Sequence, residues 1–337
     1  VGGPARWFVR AMREAELVDA VRFARERGLP MFVLGGGSNL LVADAGFEGL
    51  VLHADIGGHV QNDLADRSTR VHCSVPAGME WDTFVDLTCR SRYTGVECLA
   101  GIPGLAGGSP IQNIGAYGQE VAQTIKSVRV LDLEKLEFVT LSAAECRFGY
   151  RSSLFNTTHR NRFIVTRVAF EFDLDAPPKL NYAELIRHFE GQPNPTPTQV
   201  AVAVRAIRAR KGMVLNPNDP DSRSAGSFFK NPIVPAAEAA RIAVMAGCAA
   251  EDVPQYPAGV EGMLKLSAAW LIELAGFRKG FAMGRAGLSS KHVLAIVNSG
   301  DATAAEVLAL RDTVVNEVHR RTGLWLEQEP VMLGFSR

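Results

Sequence analysis

Two glycine-rich stretches and one short aromatic run hold the residues of this sequence best placed to do chemistry. In VLGGGSNLL, Gly35, Gly36 and Gly37 stand directly after an apolar run, where a tight turn brings backbone N–H groups up to a phosphate. Ser38, Asn39 and Leu40 follow. The spacing is not that of the Rossmann fingerprint, because G-x-G-x-x-G counted from Gly35 needs glycine where Leu40 stands, and a strand rather than a helix is expected next. No G-x-x-x-x-G-K-[ST] occurs, so a P-loop is excluded. A plain turn explains this stretch as well as phosphate binding does. The second stretch, GIPGLAGGSPIQNIGAYGQE, tilts the balance: a loop of about 20 residues in a compact domain is uncommon unless it carries function. It holds six glycines, two prolines and almost no charge, so its bare amides suit wrapping a large ligand such as a dinucleotide. The run GSFFKNP, residues 226–232, reads by itself as a turn with two buried aromatics and a solvated lysine.

Composition narrows the partners. Lysine and arginine, 36 together, balance 36 aspartates and glutamates, so no basic field exists to hold nucleic acid or an anionic membrane, and an anionic ligand is met by a few placed cations. Cys73, Cys89, Cys98, Cys146 and Cys248 form no CxxC pair and no zinc-ligand spacing, and histidines such as His72 and His292 are isolated. No metal site is expected, and the cysteines read as small apolar residues of a reducing compartment. No apolar stretch reaches the ~18–20 residues of a membrane span, and no signal peptide is visible. The cytoplasm is the default, although a chain beginning at Val1 leaves open a trimmed leader.

The elements that position these stretches follow from periodicity. Leu17, Val21 and Ala24 mark a helix that Gly28 stops, with MFVL and LVLH as strands on either side of GGGSN. TRVHCSVP alternates as a half-exposed strand, WDTFVDLTCR is a helix, IKSVRVLDL and LEFVTLS form a hairpin turning at Glu134 and Lys135, and RFIVTRVAFEF is a long strand. Ser142 and Glu145 make a capping box for a short helix. Thr196, Pro197 and Gln199 open a further helix, and PAAEAARIAVMAG and SAAWLIELAG supply two more before the strand HVLAIVN. A last helix is opened by Thr303 and Glu306, buries Val307, Leu310, Val314 and Val318, and ends at Gly323 before the strand-like LWLEQEPVMLG. The fold class is α+β, and 337 residues suggest two or three domains.

In order and interval, VLGGGSNLLVAD, GIPGLAGGSPIQNIGAYG, FGYRSSLF, GSFFKNP and LEQEP make the chain resemble the UDP-N-acetylenolpyruvoylglucosamine reductases of peptidoglycan synthesis, from Gly2 to Gly334. The resemblance implies three domains, the first two forming an FAD-binding unit of the p-cresol methylhydroxylase/vanillyl-alcohol oxidase type. Their expected bounds are 1–66 for a small α/β FAD-binding subdomain and 67–195 for an α+β one. An α+β substrate-binding domain spans 196–322, and a C-terminal strand in 323–337 returns to the FAD-binding unit and active site. It further implies non-covalent FAD, NADPH as co-substrate, and reduction of an enolpyruvyl UDP-sugar to UDP-N-acetylmuramate by a monomer. FAD contacts are expected at Gly35, Gly36, Gly37, Ser38, Asn39, Leu40, Pro103, Gly108, Ser109, Gly115 and Ile164. LNYAEL around Tyr182 looks like the tyrosine-bearing segment of the larger subtype, in which that tyrosine lies over bound substrate. Tyr182, Lys211, Asn231, Tyr256 and Lys265 are the expected UDP-sugar contacts.

The chemistry sets its own demands. An electron-rich enol ether accepts hydride only if charge flows into its carboxylate, and donors aimed at that carboxylate are worth about 3 kcal/mol each. Arg151 suits this, since a guanidinium meets a carboxylate through two parallel bonds. Glu329 matches the family's glutamate, and a carboxyl beside another carboxylate is pushed toward its neutral, donating form; Glu327 is expected to face solvent. Ser227 matches the family's general acid, with Phe228 and Phe229 expected to wall the chamber and Lys230 and Asn231 to meet polar parts of the ligand. Two other readings stay open: an FAD-dependent oxidase on the same scaffold, and a nucleotide-sugar binder without catalysis.

Overall fold

The computed structural model of the protein describes residues 1–64, 69–192 and 194–335; the domain boundary expected between 66 and 67 lies outside them. The chain divides into two compact units, one made of Ala5–Gly37 and Phe47–Ala209, the other of Val1–Pro4, Ser38–Gly46 and the chain from Arg210 on.

In the first unit, the strands Ala5–Ala11, Phe47–Ala54 and Met31–Leu34 form a parallel sheet with Phe47–Ala54 in the middle. The helix Glu14–Glu26 buries Leu17, Ala20, Val21 and Ala24, the spacing of one helical face, and Gly28 ends it at φ 59°. Ala5–Ala11 escaped the sequence reading because it is exposed along most of its length and shows no clean alternation. The second sheet is antiparallel, in the order Glu137–Ser142, Ile125–Asp132, Phe163–Leu174, Arg70–Pro76, Gln61–Leu64. Its long central strand meets the helix Trp81–Arg90 through Trp81, Phe84, Phe170 and Phe172, ring centroids 5.1–6.2 Å apart. Glu14, at the start of the first helix, ties that helix to the second sheet. Its carboxylate accepts from Arg129 Nε (2.8 Å) and Thr166 Oγ1 (2.8 Å), and the arginine bond holds its pKa below the ordinary value against the cost of burial.

The capping box at Ser142 forms, with Ser142 N donating to Glu145 Oε2 at 2.7 Å, yet no helix follows. Arg147 adopts φ 48°, which ends the turn at once and sends the chain toward Arg151. The helix Pro197–Arg210 is capped as expected, Gln199 Oε1 accepting from Thr196 N at 2.8 Å.

The second unit holds a four-stranded antiparallel sheet, Ser224–Ser227, Ala295–Asn298, Ala286–Leu288, Ala282–Met283, and a three-stranded one, Ile233–Pro235, Met263–Leu266, Gln255–Pro257. The helices Ala236–Ala246, Ala268–Leu274 and Ala304–Thr322 pack around one core. Val331–Leu333 pairs in parallel with Leu40–Val42, so a segment early in the chain joins the end of it. Asp44 fastens the same segment to the last helix by accepting from Ala304 N (2.7 Å) and Ala305 N (3.0 Å).

Candidate active site

In the first unit the glycine loops meet. Met31–Leu34 runs into Gly35–Gly37, and a Cβ built on Gly36 would lie 2.6 Å from Gly104 Cα, so only glycine lets this turn touch the loop that follows Pro103. Added Cβ atoms at Gly35 and Gly108 meet nothing within 4 Å, which leaves bare backbone open on either side of that contact. The long loop is pinned from below: Trp81 N donates to Gly104 O (2.9 Å), Ala106 N to Met79 O (2.8 Å) and Gly107 N to Ala77 O (2.9 Å). Asp82 accepts from Gly101 N at 2.6 Å and pairs with Arg205 at 2.9 Å.

Glu97 closes the neck of the loop. It is 1% exposed and accepts from Gly95 N (2.6 Å) and Gln119 Nε2 (2.7 Å), while Gln119 Oε1 accepts from Cys98 N (2.8 Å). Sequence reasoning missed this pair, whose only signal was charge and amide at the two ends of an otherwise uncharged stretch. Ser109 is buried with its hydroxyl donating to Ala106 O at 2.7 Å, and Ile164 is a core residue of the central strand opposite Leu131. A cradle of glycine backbone without side chains, open beside Gly35 and Gly108, fits a flat cofactor carrying a pyrophosphate, as FAD does.

Arg151 belongs to the same unit and stands in a tight turn at φ 51°. Its Nη2 donates to Gly115 O at 2.7 Å, and its own carbonyl accepts from Asn156 Nδ2 at 3.1 Å. A Cβ at Gly115 would come within 3.1 Å of Arg151 Nη1, so glycine there gives the guanidinium its room. Tyr182 opens the short helix Ala183–His188 and meets Tyr117 edge-on, centroids 5.1 Å apart; burial pushes its hydroxyl pKa up, with Glu184 adding to the shift. The tyrosine therefore packs on the far end of the glycine-rich loop.

In the second unit the structure brings Ser227 and Glu329 onto neighbouring backbone segments. Phe228 N donates to Leu294 O (2.7 Å), Phe228 O accepts from Glu329 N (2.9 Å), Phe229 pairs with Gln328, and Lys230 N donates to Glu327 O (2.9 Å). Asn39 joins them, its Nδ2 donating to Glu329 O (3.3 Å) and its carbonyl accepting from Val331 N (3.0 Å), with Leu40 opposite Val331 and Ser38 just before. Phe228 and Phe229 correct the expectation of a chamber wall: each is 2% exposed and belongs to the core with Leu41, Val234 and Leu266. A lining role would need a face left uncovered, whereas burial makes both rings anchors of the strand. Lys230 pairs with Glu327 at 2.6 Å, and Glu327 is 74% exposed, as a solvent-facing residue should be.

Tyr256 and Lys265 are direct cross-strand partners, the tyrosine 38% exposed. Lys265 also faces Ile233 on its other side, two residues after Asn231. Asn231 Oδ1 accepts from Ala268 N at 2.9 Å, at the start of the helix Ala268–Leu274. Lys211 stands at the end of the helix Pro197–Arg210, before the left-handed Gly212.

Comparison with known proteins adds the history of the chain. Residues 5–142 match the model of the FAD binding domain, and residues 218–333 that of the UDP-N-acetylenolpyruvoylglucosamine reductase C-terminal domain. The UDP-N-acetylenolpyruvoylglucosamine reductase of Thermobifida fusca is 47% identical over 99% of this chain and 94% of its own, and that of Streptomyces coelicolor 45% over 99% and 87%. Among solved structures, the UDP-N-acetylenolpyruvylglucosamine reductase of Thermus caldophilus superposes with a TM-score of 0.64 at 28% identity, covering 99% of this chain and 94% of that one. Similar along nearly its whole length to proteins so named, and matched at both ends by the corresponding models, the chain belongs to the UDP-N-acetylenolpyruvoylglucosamine reductase family.

Proposed function

We propose that the protein uses NADPH to reduce the enolpyruvyl ether of UDP-N-acetylglucosamine-enolpyruvate to UDP-N-acetylmuramate, a step of peptidoglycan precursor synthesis, acting as a monomer in the cytoplasm. The observation that carries this reading is the near-full-length likeness to reductases of that name. The glycine cradle supports it. Gly35, Gly36, Gly37, Pro103, Gly108 and Gly115 would hold FAD, with Ser38, Asn39 and Leu40 as further contacts; Ser109 and Ile164, each 1% exposed, would support the cradle from within rather than line it, and FAD when bound supplies the hydride relay from NADPH to substrate. FAD contacts thus fall in residues 1–195 and sugar contacts in 196–322, apart from Tyr182.

Arg151 would meet the substrate carboxylate through two parallel bonds and take up the charge that hydride addition drives into it. Glu329, held neutral beside that carboxylate, would donate a hydrogen bond to the same oxygens. Ser227 would deliver a proton to the carbon next to the carboxylate, completing addition of one hydride and one proton across the double bond. Lys211 and Lys265 would meet the diphosphate, with Tyr256 beside Lys265, Asn231 nearby and Tyr182 covering the sugar.

The test is optical. The purified protein should be yellow, lose its colour anaerobically with NADPH, and regain it on addition of the enolpyruvyl UDP-sugar. Rapid recovery with air alone and none with the sugar would make the protein an oxidase instead.

A further inference from the structure

Arg151 sits in a turn that is held from beneath by a side chain to which the chemistry above gives no part. Asn113 is 1% exposed and left-handed at φ 47°, a conformation that asparagine tolerates better than most residues. It spends both ends of its amide. Nδ2 donates to Gly149 O (2.9 Å) and to Glu120 Oε2 (2.9 Å), and Oδ1 accepts from Ala122 N (3.0 Å). Gly149 is where the arginine turn opens: Gly149 and Ser152 exchange backbone bonds of 2.9 and 3.1 Å, leaving Tyr150 and Arg151 as the two central residues. The guanidinium at the other end of Arg151 rests on Gly115 O, two residues beyond Asn113. Backbone and side chain of the arginine are therefore both referred to one short stretch, residues 113–115. A left-handed arginine persists only where its surroundings over-determine it, and this arrangement does so.

We propose that Asn113 is a positioning residue for Arg151: by holding the Gly149 carbonyl it sets the pose in which the guanidinium meets the substrate carboxylate. The inference rests on the reading of Arg151 given above. Aspartate at this position keeps the shape and the acceptor but lacks both N–H donors, and it places a carboxyl beside Glu120, where burial and like charge push its pKa up.

Holoenzyme carrying Asn113→Asp or Arg151→Lys is compared with the parent in two anaerobic single-turnover reactions, bleaching by NADPH and recovery with the enolpyruvyl UDP-sugar. For Asn113→Asp, bleaching should keep the parental rate and recovery should slow about 10–100-fold, the scale of a small misplacement of a reacting group. The ratio of variant to parent recovery should rise as pH falls, because the protonated carboxyl donates again to Gly149 O. A merely structural role slows both reactions alike and leaves the ratio flat with pH, and either result overturns the proposal, as does recovery at the parental rate. If Asn113→Asp gives no holoprotein, Asn113→Gly keeps the left-handed backbone and deletes the amide; slow recovery with intact bleaching supports the proposal, and equal loss in both overturns it. Parental recovery in Arg151→Lys would remove the arginine reading and this inference with it, whereas slow recovery there alongside normal Asn113→Asp would remove this inference alone.

Discussion

Ser227 and Glu329 owe their nearness to backbone rather than to attraction between side chains. The bond from Glu329 N to Phe228 O and the pairing of Phe229 with Gln328 fix the two segments in register, and none of these contacts uses the serine hydroxyl. Ser227→Ala should therefore fold and bind flavin as the parent does, bleach normally with NADPH, and recover about 10²–10⁴-fold more slowly with substrate. Recovery at the parental rate would take the serine out of the mechanism. Phe229→Ala should behave oppositely, since the ring is core: about 3–5 kcal/mol of stability is lost to the cavity, which a thermal melt would read, and chemistry in the surviving folded fraction is spared. The aromatic pair shows what a local sequence motif leaves unsaid. Its residue types suit a chamber wall and a core equally, and only the strands and helices stacked over it decide which.

At the scale of elements, the last helix illustrates how much a run of side chains encodes by itself. Thr303 Oγ1 accepts from Glu306 N at 3.1 Å, Glu306 Oε2 accepts from Thr303 N at 2.8 Å, and Gly323 closes the helix in the left-handed region, all of it readable from residue types at fixed offsets. Thr303→Ala should cost about 1 kcal/mol, measurable by denaturant titration. The Thr303 backbone amide, followed by Arg285, lowers the Glu306 pKa from 4.5 to about 2. A depressed carboxylate stabilises the fold above its ordinary pKa and stops doing so as pH falls toward the folded value. The melting temperature of the parent should exceed that of Glu306→Gln near neutrality, and the gap should close between pH 4.5 and about 2. A gap that stays constant over that range would mean that the charge on Glu306 contributes nothing. Ala5–Ala11 marks the limit of such reading, because its exposed face carries Phe8 between Arg6 and Arg10 while Trp7 on the other face is also exposed, so residue type does not alternate with burial.

Across the whole molecule, what escaped the sequence depends on partners far away along the chain. The helix faces, the hairpin at Glu134 and the meeting of cap and stop signals are local, whereas the return of residues 38–46 to the end of the chain, the Glu97–Gln119 neck and the Asn113 bonds are set by tertiary pairing. The five cysteines are a property of the molecule in the same sense. Burial pushes the thiols of Cys73, Cys89 and Cys146 up to about 12 and that of Cys98 higher still, while Cys248 is partly exposed. A thiol reagent should titrate Cys248 at most in the native protein and all five in denaturant; fast labelling of a second native thiol would mean that a core opens readily. The pairing of Leu40–Val42 with Val331–Leu333 carries one more implication. On a ribosome adding about 5–20 residues per second, the earlier strand waits roughly 15–60 s for its mate. The unit ending at Ala209 is synthesised well before the other is complete, so a nascent chain stalled short of Val331 should present one finished body and one still lacking its final strand.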